Sequence, residues 1–268
     1  MTQTGVSSYW AMSMATINHC STSIYFTVQC SNTTTFLRST LLKKLSYDPK
    51  LDVLVHVGDI VAKGGHDGSM AVLSFMSTNN ITGVRGNHDQ KVIEWRTWLN
   101  WAWSREDRNR WLDQMHTNWV AAKDRGMTLD AWIDHERKVD KTSWWKKVPE
   151  GWKLFGEHYK IAHDMSKSEY DYLLSLPLSL HIPSAHTFIG HAGLLSSDPH
   201  RGSTHPRQPL SHIPIVPVPD KARLNDTIPV MRRLQEMSIL NDVPQNSQPW
   251  VLLNMRSISK KHNVSRYR

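Results

Sequence analysis

The sequence predicts an α/β fold. Two apolar runs, residues 54–57 and 81–84, have the length and character of buried strands, and each ends in a loop rich in polar, chemistry-bearing residues. Residues 68–77 between them have a helical pattern. A strand, a helix and a second strand form a βαβ unit, and parallel strands joined in this way deliver their loops to one sheet edge. A later pair of strand-like runs, 178–182 and 187–189, leads into Gly190-His191.

The elements follow in chain order. Residues 1–23 are rich in Ser and Thr, carry little charge and lack the charged start and apolar core of a signal peptide, so they read as a leader outside the folded domain, which spans 24–268. Residues 24–28 suit a strand. Residues 34–45 suit a helix, with Leu37, Leu41, Leu42 and Leu45 at helical spacing. The βαβ unit comes next. The stretch of about 91–165 has a different texture, with ten of the twelve tryptophans between Trp95 and Trp152 and charges of both signs interleaved. It reads as a helical insertion, either a lid over the site or a subdomain whose tryptophans are core; packing is the more usual role of so large a side chain. Ser166 with Glu169 has the form of a capping box, and the helix 169–175 stops before Pro177. Residues 198–221 are rich in Pro and His and read as a loop, because His200, His205 and His212 lack the spacing of a metal-ligand set. Residues 228–239 suit an amphipathic helix, and 251–255 a short strand.

Composition sets outer bounds. A chain of 268 residues can bury one large domain. A net charge of +8 suits an anionic partner without naming it. No zinc-finger, RNA-recognition or helix-turn-helix pattern accompanies the charge, so dedicated nucleic-acid binding is not expected. Cys20 and Cys30 make neither a disulfide framework nor a zinc ribbon. No apolar run reaches the length of a membrane span, and the default location is cytoplasmic. The oligomeric state is left open.

The chemistry lies in the two loops. The first reads Gly58-Asp59-Ile60-Val61-Ala62-Lys63-Gly64 and the second Arg85-Gly86-Asn87-His88-Asp89. The carboxyl edge of an α/β sheet is where ligands bind. A carboxylate there can bridge divalent cations, an Asn carbonyl is a neutral oxygen ligand, and a His is a ligand or a proton donor. Arg85 can pair with phosphate oxygens through two N–H groups, and Lys63 adds a point charge.

These blocks, together with Gly190-His191-Ala192-Gly193, resemble the calcineurin-like metallophosphoesterase superfamily. The surrounding words, LSYDPKLDVLVHVGDIVAKG, NNITGVRGNHDQKVIEWRTWL and DVPQNSQPWVLLNMR, resemble a fungal branch that includes a zinc-dependent vacuolar endopolyphosphatase. The resemblance implies a sandwich of two mixed β-sheets flanked by helices, with the tryptophan-rich helical insertion added to it. It implies Asp59, Asn87 and His191 as metal ligands and His88 as proton donor. Asp89 would orient His88, and Arg85 and Lys63 would hold phosphate. The implied activity is hydrolysis of a phosphoric ester or anhydride with Zn, Mn or Co, polyphosphate being the favoured substrate and phosphoprotein the runner-up. Two family elements lack a counterpart. Thr27 and Gln29 stand at the positions of a first D-x-H pair. The last Gly-His motif is missing, and His262 lies in a basic tail. The expectation is therefore a domain truncated at both ends, holding one metal or none where the complete site holds two. The alternative is an impaired or inactive member that acts at most as a binding protein.

Overall fold

The computed structural model describes residues 14–16, 24–26, 46, 48, 52–62, 64–140, 142–183, 187–209 and 224–262. Among them, β-structure occurs as three two-stranded ladders. Strands β1 (Met14–Thr16) and β2 (Ile24–Phe26) pair antiparallel, and β1 falls inside the stretch read as a leader. Thr27, Gln29, Cys20, Cys30 and the expected helix 34–45 lie outside the described residues. So do Lys63 and His212.

The βαβ unit is present. Strand β3 (Val55–His56) pairs parallel with β4 (Thr82–Gly83), and helix α1 (Gly65–Thr78) makes the crossover. The ladder is shorter than the apolar runs. Beyond it, Gly58 and Asp59 adopt φ +82° and +55°, which takes the chain out of extended geometry. On the other side the Val84 N–H still donates to the His56 carbonyl (3.1 Å), but the Arg85 N–H donates to the Pro177 carbonyl (2.8 Å). The loop is thereby fastened to the next layer of the molecule. Ser69, Val72, Leu73 and Met76 form the buried face of α1.

Four helices follow: α2 (Asn87–Trp103), α3 (Glu106–Asp124), α4 (Leu129–Val139) and α5 (Glu157–Asp164), with a short 3-10 turn at Trp145–Lys147 before α5. Their tryptophans are core. Trp95, Trp111, Trp132 and Trp145 are all buried, in one continuous cluster that also holds Val72 and Leu73 of α1 and Leu173 of the next helix. The indoles meet edge to face, as at Trp111–Trp145 (5.8 Å, 87°), the arrangement their quadrupoles favour. Trp101 and Trp103 are half-exposed, with the guanidiniums of Arg108 and Arg96 over their rings at 4.3 and 5.1 Å.

Helix α6 (Lys167–Ser175) starts on the expected capping box: the Ser166 N–H donates to Glu169 Oε2 (2.7 Å) and Ser166 Oγ accepts from the Glu169 N–H (3.3 Å). Strands β5 (Ser179–Ile182) and β6 (Thr187–Gly190) pair antiparallel and end at His191. Helix α7 (Leu224–Asn241) contains the amphipathic stretch and has Pro229 inside it.

One expected element is different. Residues 251–255 are not a strand but part of helix α8 (Pro249–His262). A short apolar run does not by itself separate a buried strand from a buried helix. Here Pro249 opens the helix, where its missing N–H costs nothing, and the Leu252 N–H donates to the Gln248 carbonyl at 3.1 Å. Val251 and Met255 then share a small core with Leu195 and Val243, which anchors the chain just after His191. Among the described residues no helix is long and apolar enough to cross a membrane.

Candidate metal centre

The two loops meet backbone to backbone, and their glycines are what permit it. A Cβ on Gly58 would lie 2.5 Å from the Gly86 nitrogen, and one on Gly86 would lie 2.2 Å from the Asp59 nitrogen. Asp89, third residue of α2 and fully buried, locks the contact. Its Oδ2 accepts from the N–H groups of Asp59 and Gly86 (2.8 Å each), and its Oδ1 accepts from Ile60 (3.0 Å). Burial pushes the Asp89 carboxyl up to about 6, with the Gly86 hydrogen bond opposing and the Asp59 charge adding. Asp89 therefore ties loop to loop through the backbone, and these are the partners found where orientation of His88 was expected.

Asp59 is 2% exposed, and its Oδ1 accepts from the His88 N–H at 3.0 Å. His191 closes the group from β6. Its Nδ1 lies 2.8 Å from the Val57 carbonyl, which can only accept, so Nδ1 carries the proton. In the neutral ring Nε2 then presents a lone pair. That atom lies 3.0 Å from Asn87 Oδ1 and 3.4 Å from Asp59 Oδ1. Three acceptors converge, and something positive belongs among them: a proton on Nε2 or a cation. The separations suit neighbouring ligands of one ion, because bonds of about 2.0–2.2 Å place adjacent ligands roughly 2.9–3.6 Å apart. Carboxylate, amide oxygen and imidazole form a donor set for a divalent metal. The described residues hold no group of three or more His, Cys, Asp and Glu that could do so without Asn87.

The remaining expected residues are placed as follows. The Arg85 guanidinium donates to Gln90 Oε1 (3.0 Å) and to the Leu174 carbonyl (2.6 Å), while its Nε is buried without a partner among the described residues. His88 Nδ1 lies 2.8 Å from Nε2 of His158, on α5. Nothing in the sequence marked His158; the two histidines are 70 residues apart, and only packing of α5 on α2 joins them. A cavity of about 290 Å³ borders His158 and is lined also by Lys91, Trp95, Trp152, Lys153 and Glu157. A larger one, about 660 Å³, is lined by Ala62, His66, Trp119, Met127, Leu129 and Phe155 among others, and by none of Asp59, Asn87, His88 and His191. His66 itself bonds Asp67 and Asp164 at the surface.

An α/β fold that brings Asp, Asn and His together at the strand exits is of the metallophosphoesterase kind. The chain belongs to the calcineurin-like phosphoesterase family, whose model matches residues 36–216. Enzymes of that family depend on divalent metal. Among curated relatives, it is 53% identical over 55 residues to a symmetrical bis(5'-nucleosyl)-tetraphosphatase of Haemophilus ducreyi, covering 20% of either chain. It is 38% identical over 55 residues to serine/threonine-protein phosphatase 1 of Salmonella typhimurium, covering 20% of this chain and 24% of that one. It is 35% identical over 71 residues to serine/threonine-protein phosphatase 2 of Escherichia coli, covering 26% and 28%. The matched stretch is thus between 20% and 28% of those relatives' own length. A crystal structure assigned provisionally to a diadenosine tetraphosphatase aligns over 69% of this chain and 59% of its own at 18% identity, with a TM-score of 0.34.

Proposed function

We propose that the chain hydrolyses phosphoric esters or anhydrides with a divalent cation held by Asp59, Asn87 and His191. The observation that carries this reading is the convergence of Asp59 Oδ1, Asn87 Oδ1 and His191 Nε2. The chemistry a bound cation supplies is charge stabilisation at phosphoryl oxygens and a more acidic water. The protein groups do the rest. His88, beside the centre, holds a proton for the departing oxygen. Arg85 is assigned to phosphate by its place in the second loop. Lys63 is assigned there by its place in the first loop.

Polyphosphate remains the favoured substrate on the resemblance to the endopolyphosphatase branch and on the basic charge. The tetraphosphatase name among the relatives supports the same bond, since both are chains of phosphoanhydrides. The two phosphatase names support phosphoprotein as runner-up. A second reading, a member that binds phosphate without turnover, is favoured by Thr27 and Gln29 at the positions of the D-x-H pair.

The test combines elemental analysis with hydrolysis of polyphosphate, diadenosine tetraphosphate, a phosphopeptide and p-nitrophenyl phosphate under Mn²⁺, Zn²⁺ or Co²⁺. Bound metal with turnover is expected, and Asp59→Asn should lose both. Metal and phosphate binding without turnover selects the second reading. Absence of metal and turnover together overturns the assignment, as does an unaffected Asp59→Asn variant.

A further inference from the structure

We infer that His158, carried on α5 in the tryptophan-rich region, is a positioning residue that holds His88 with its transferable proton facing the substrate. The inference rests on the reading of His88 as the proton donor. Nitrogen meets nitrogen at 2.8 Å, whereas the ring centroids are 5.0 Å apart and the planes differ by only 18°. The rings therefore touch edge to edge and not face to face. Two ring nitrogens at that distance share one hydrogen, one as donor and one as acceptor.

The surroundings favour His158 as the acceptor. Both histidines are second residues of their helices, so the helix dipole does not choose between them. Burial and the neighbouring His88 and Lys91 push the His158 ring down to about 4, so it stays neutral. A neutral acceptor holds Nδ1–H of His88 and confines the transferable proton to Nε2. In the step itself, a water oxygen forms a bond to phosphorus as the bond to the leaving oxygen breaks, and the water's surplus proton passes to solvent. The leaving oxygen takes the proton from His88 Nε2. The N–H electron pair stays on Nε2, and Nδ1–H of His88 keeps donating to His158 Nε2.

The placement is built in. Helices α2 and α5 pack parallel, since His88 meets His158, Trp95 meets Tyr159 at 5.2 Å, and Arg96 donates to the carbonyls of Ala162 (2.9 Å) and Met165 (2.8 Å). Parallel packing brings the two helix N-termini, each bearing a histidine, to the same end.

Leaving-group dependence tests this. p-Nitrophenolate departs without help, whereas phenolate needs a proton. His158→Ala should slow phenyl phosphate hydrolysis by about 10–100-fold, a part of the usual general-acid contribution, and change p-nitrophenyl phosphate by less than about 3-fold. His158→Gln, which keeps an acceptor oxygen, should recover most of the loss. In a His88→Asn background, His158→Ala should add nothing. Equal slowing of both substrates, or no slowing of either, overturns the inference. If His88→Asn leaves phenyl phosphate unaffected, the reading of His88 fails; if it slows and His158→Ala does not, this inference alone fails. A measurement independent of turnover uses ¹⁵N spectra of the imidazoles. A coupling between His88 Nδ1 and His158 Nε2 is expected and should vanish in His158→Ala; its absence in the wild type overturns the pair.

Discussion

His56 is a buried imidazole whose every polar atom has a partner. It is 1% exposed. The Gly58 N–H donates to Nδ1 (3.3 Å), so Nε2 carries the proton and donates to Tyr172 Oη (2.9 Å), and that hydroxyl donates to the Ile81 carbonyl (2.7 Å). The ring fills the space in which a Cβ on Gly83 would lie, 2.3 Å away, so Gly83 and His56 require each other across the ladder. Burial holds His56 down to about 4 from 6.5. The sign follows: a lowered folded pKa means the unfolded chain binds the proton first, so the stability is present above pH 6.5 and is lost as pH falls through 4. The size is on the order of 3 kcal/mol. Asp89 runs the other way. Its carboxyl is raised from 3.8 to about 6, so its contribution is full below pH 3.8 and is lost as pH rises through 6. The two overlap, and the informative quantity is a difference between proteins. Urea denaturation of His56→Gln should show a smaller loss of stability between pH 7 and pH 4 than the wild type. Parallel profiles would mean that the proton never enters at His56.

Helix α6 shows what local chemistry can build and what depends on it. Its capping box starts it, and its body then presents Tyr172 to His56 and the Leu174 carbonyl to Arg85. Ser166→Ala removes an acceptor for the Glu169 N–H and should cost about 1 kcal/mol, read as a lower denaturation midpoint with unchanged m-value. An unchanged midpoint would show that Glu169 alone holds the helix start. This element was legible because Ser166, Glu169 and Pro177 are all signals within a few residues of the helix. The βαβ unit was legible for the same reason, each strand being an apolar run ending in a polar loop. Residues 251–255 were misread because the run of Val251, Leu252 and Leu253 has no period, and burial by Leu195 and Val243 decides its form. The convergence of Asp59, Asn87 and His191 could be anticipated from three motifs in order. The tie from Asp89 to three backbone N–H groups and the meeting of His88 with His158 could not, since both are products of packing.

At the scale of the whole molecule, the tryptophan-rich region and the βαβ unit are joined by one core. Trp132, 1% exposed, touches the rings of Trp119, Trp145 and Phe155, and the same buried cluster runs without a break to Val72 and Leu73 on the crossover helix and Leu173 on α6. A lid that opens freely would expose such a surface. Each buried indole removes about 150–250 Å² from water, worth on the order of 4–6 kcal/mol as an upper limit. The histidine that meets His88 stands on α5, whose Tyr159 packs on Trp95 in that core. Loosening the core should therefore disturb the site as well as the fold. Trp132→Ala is expected to destabilise by about 3–5 kcal/mol. In the wild type, near-ultraviolet signals from the tryptophans and far-ultraviolet signals from the helices should melt together, as a single cooperative unit requires. An earlier transition seen only by the tryptophans would instead make the region a separately folding body, and α5 would then lose its hold on His88 before the rest of the chain unfolds.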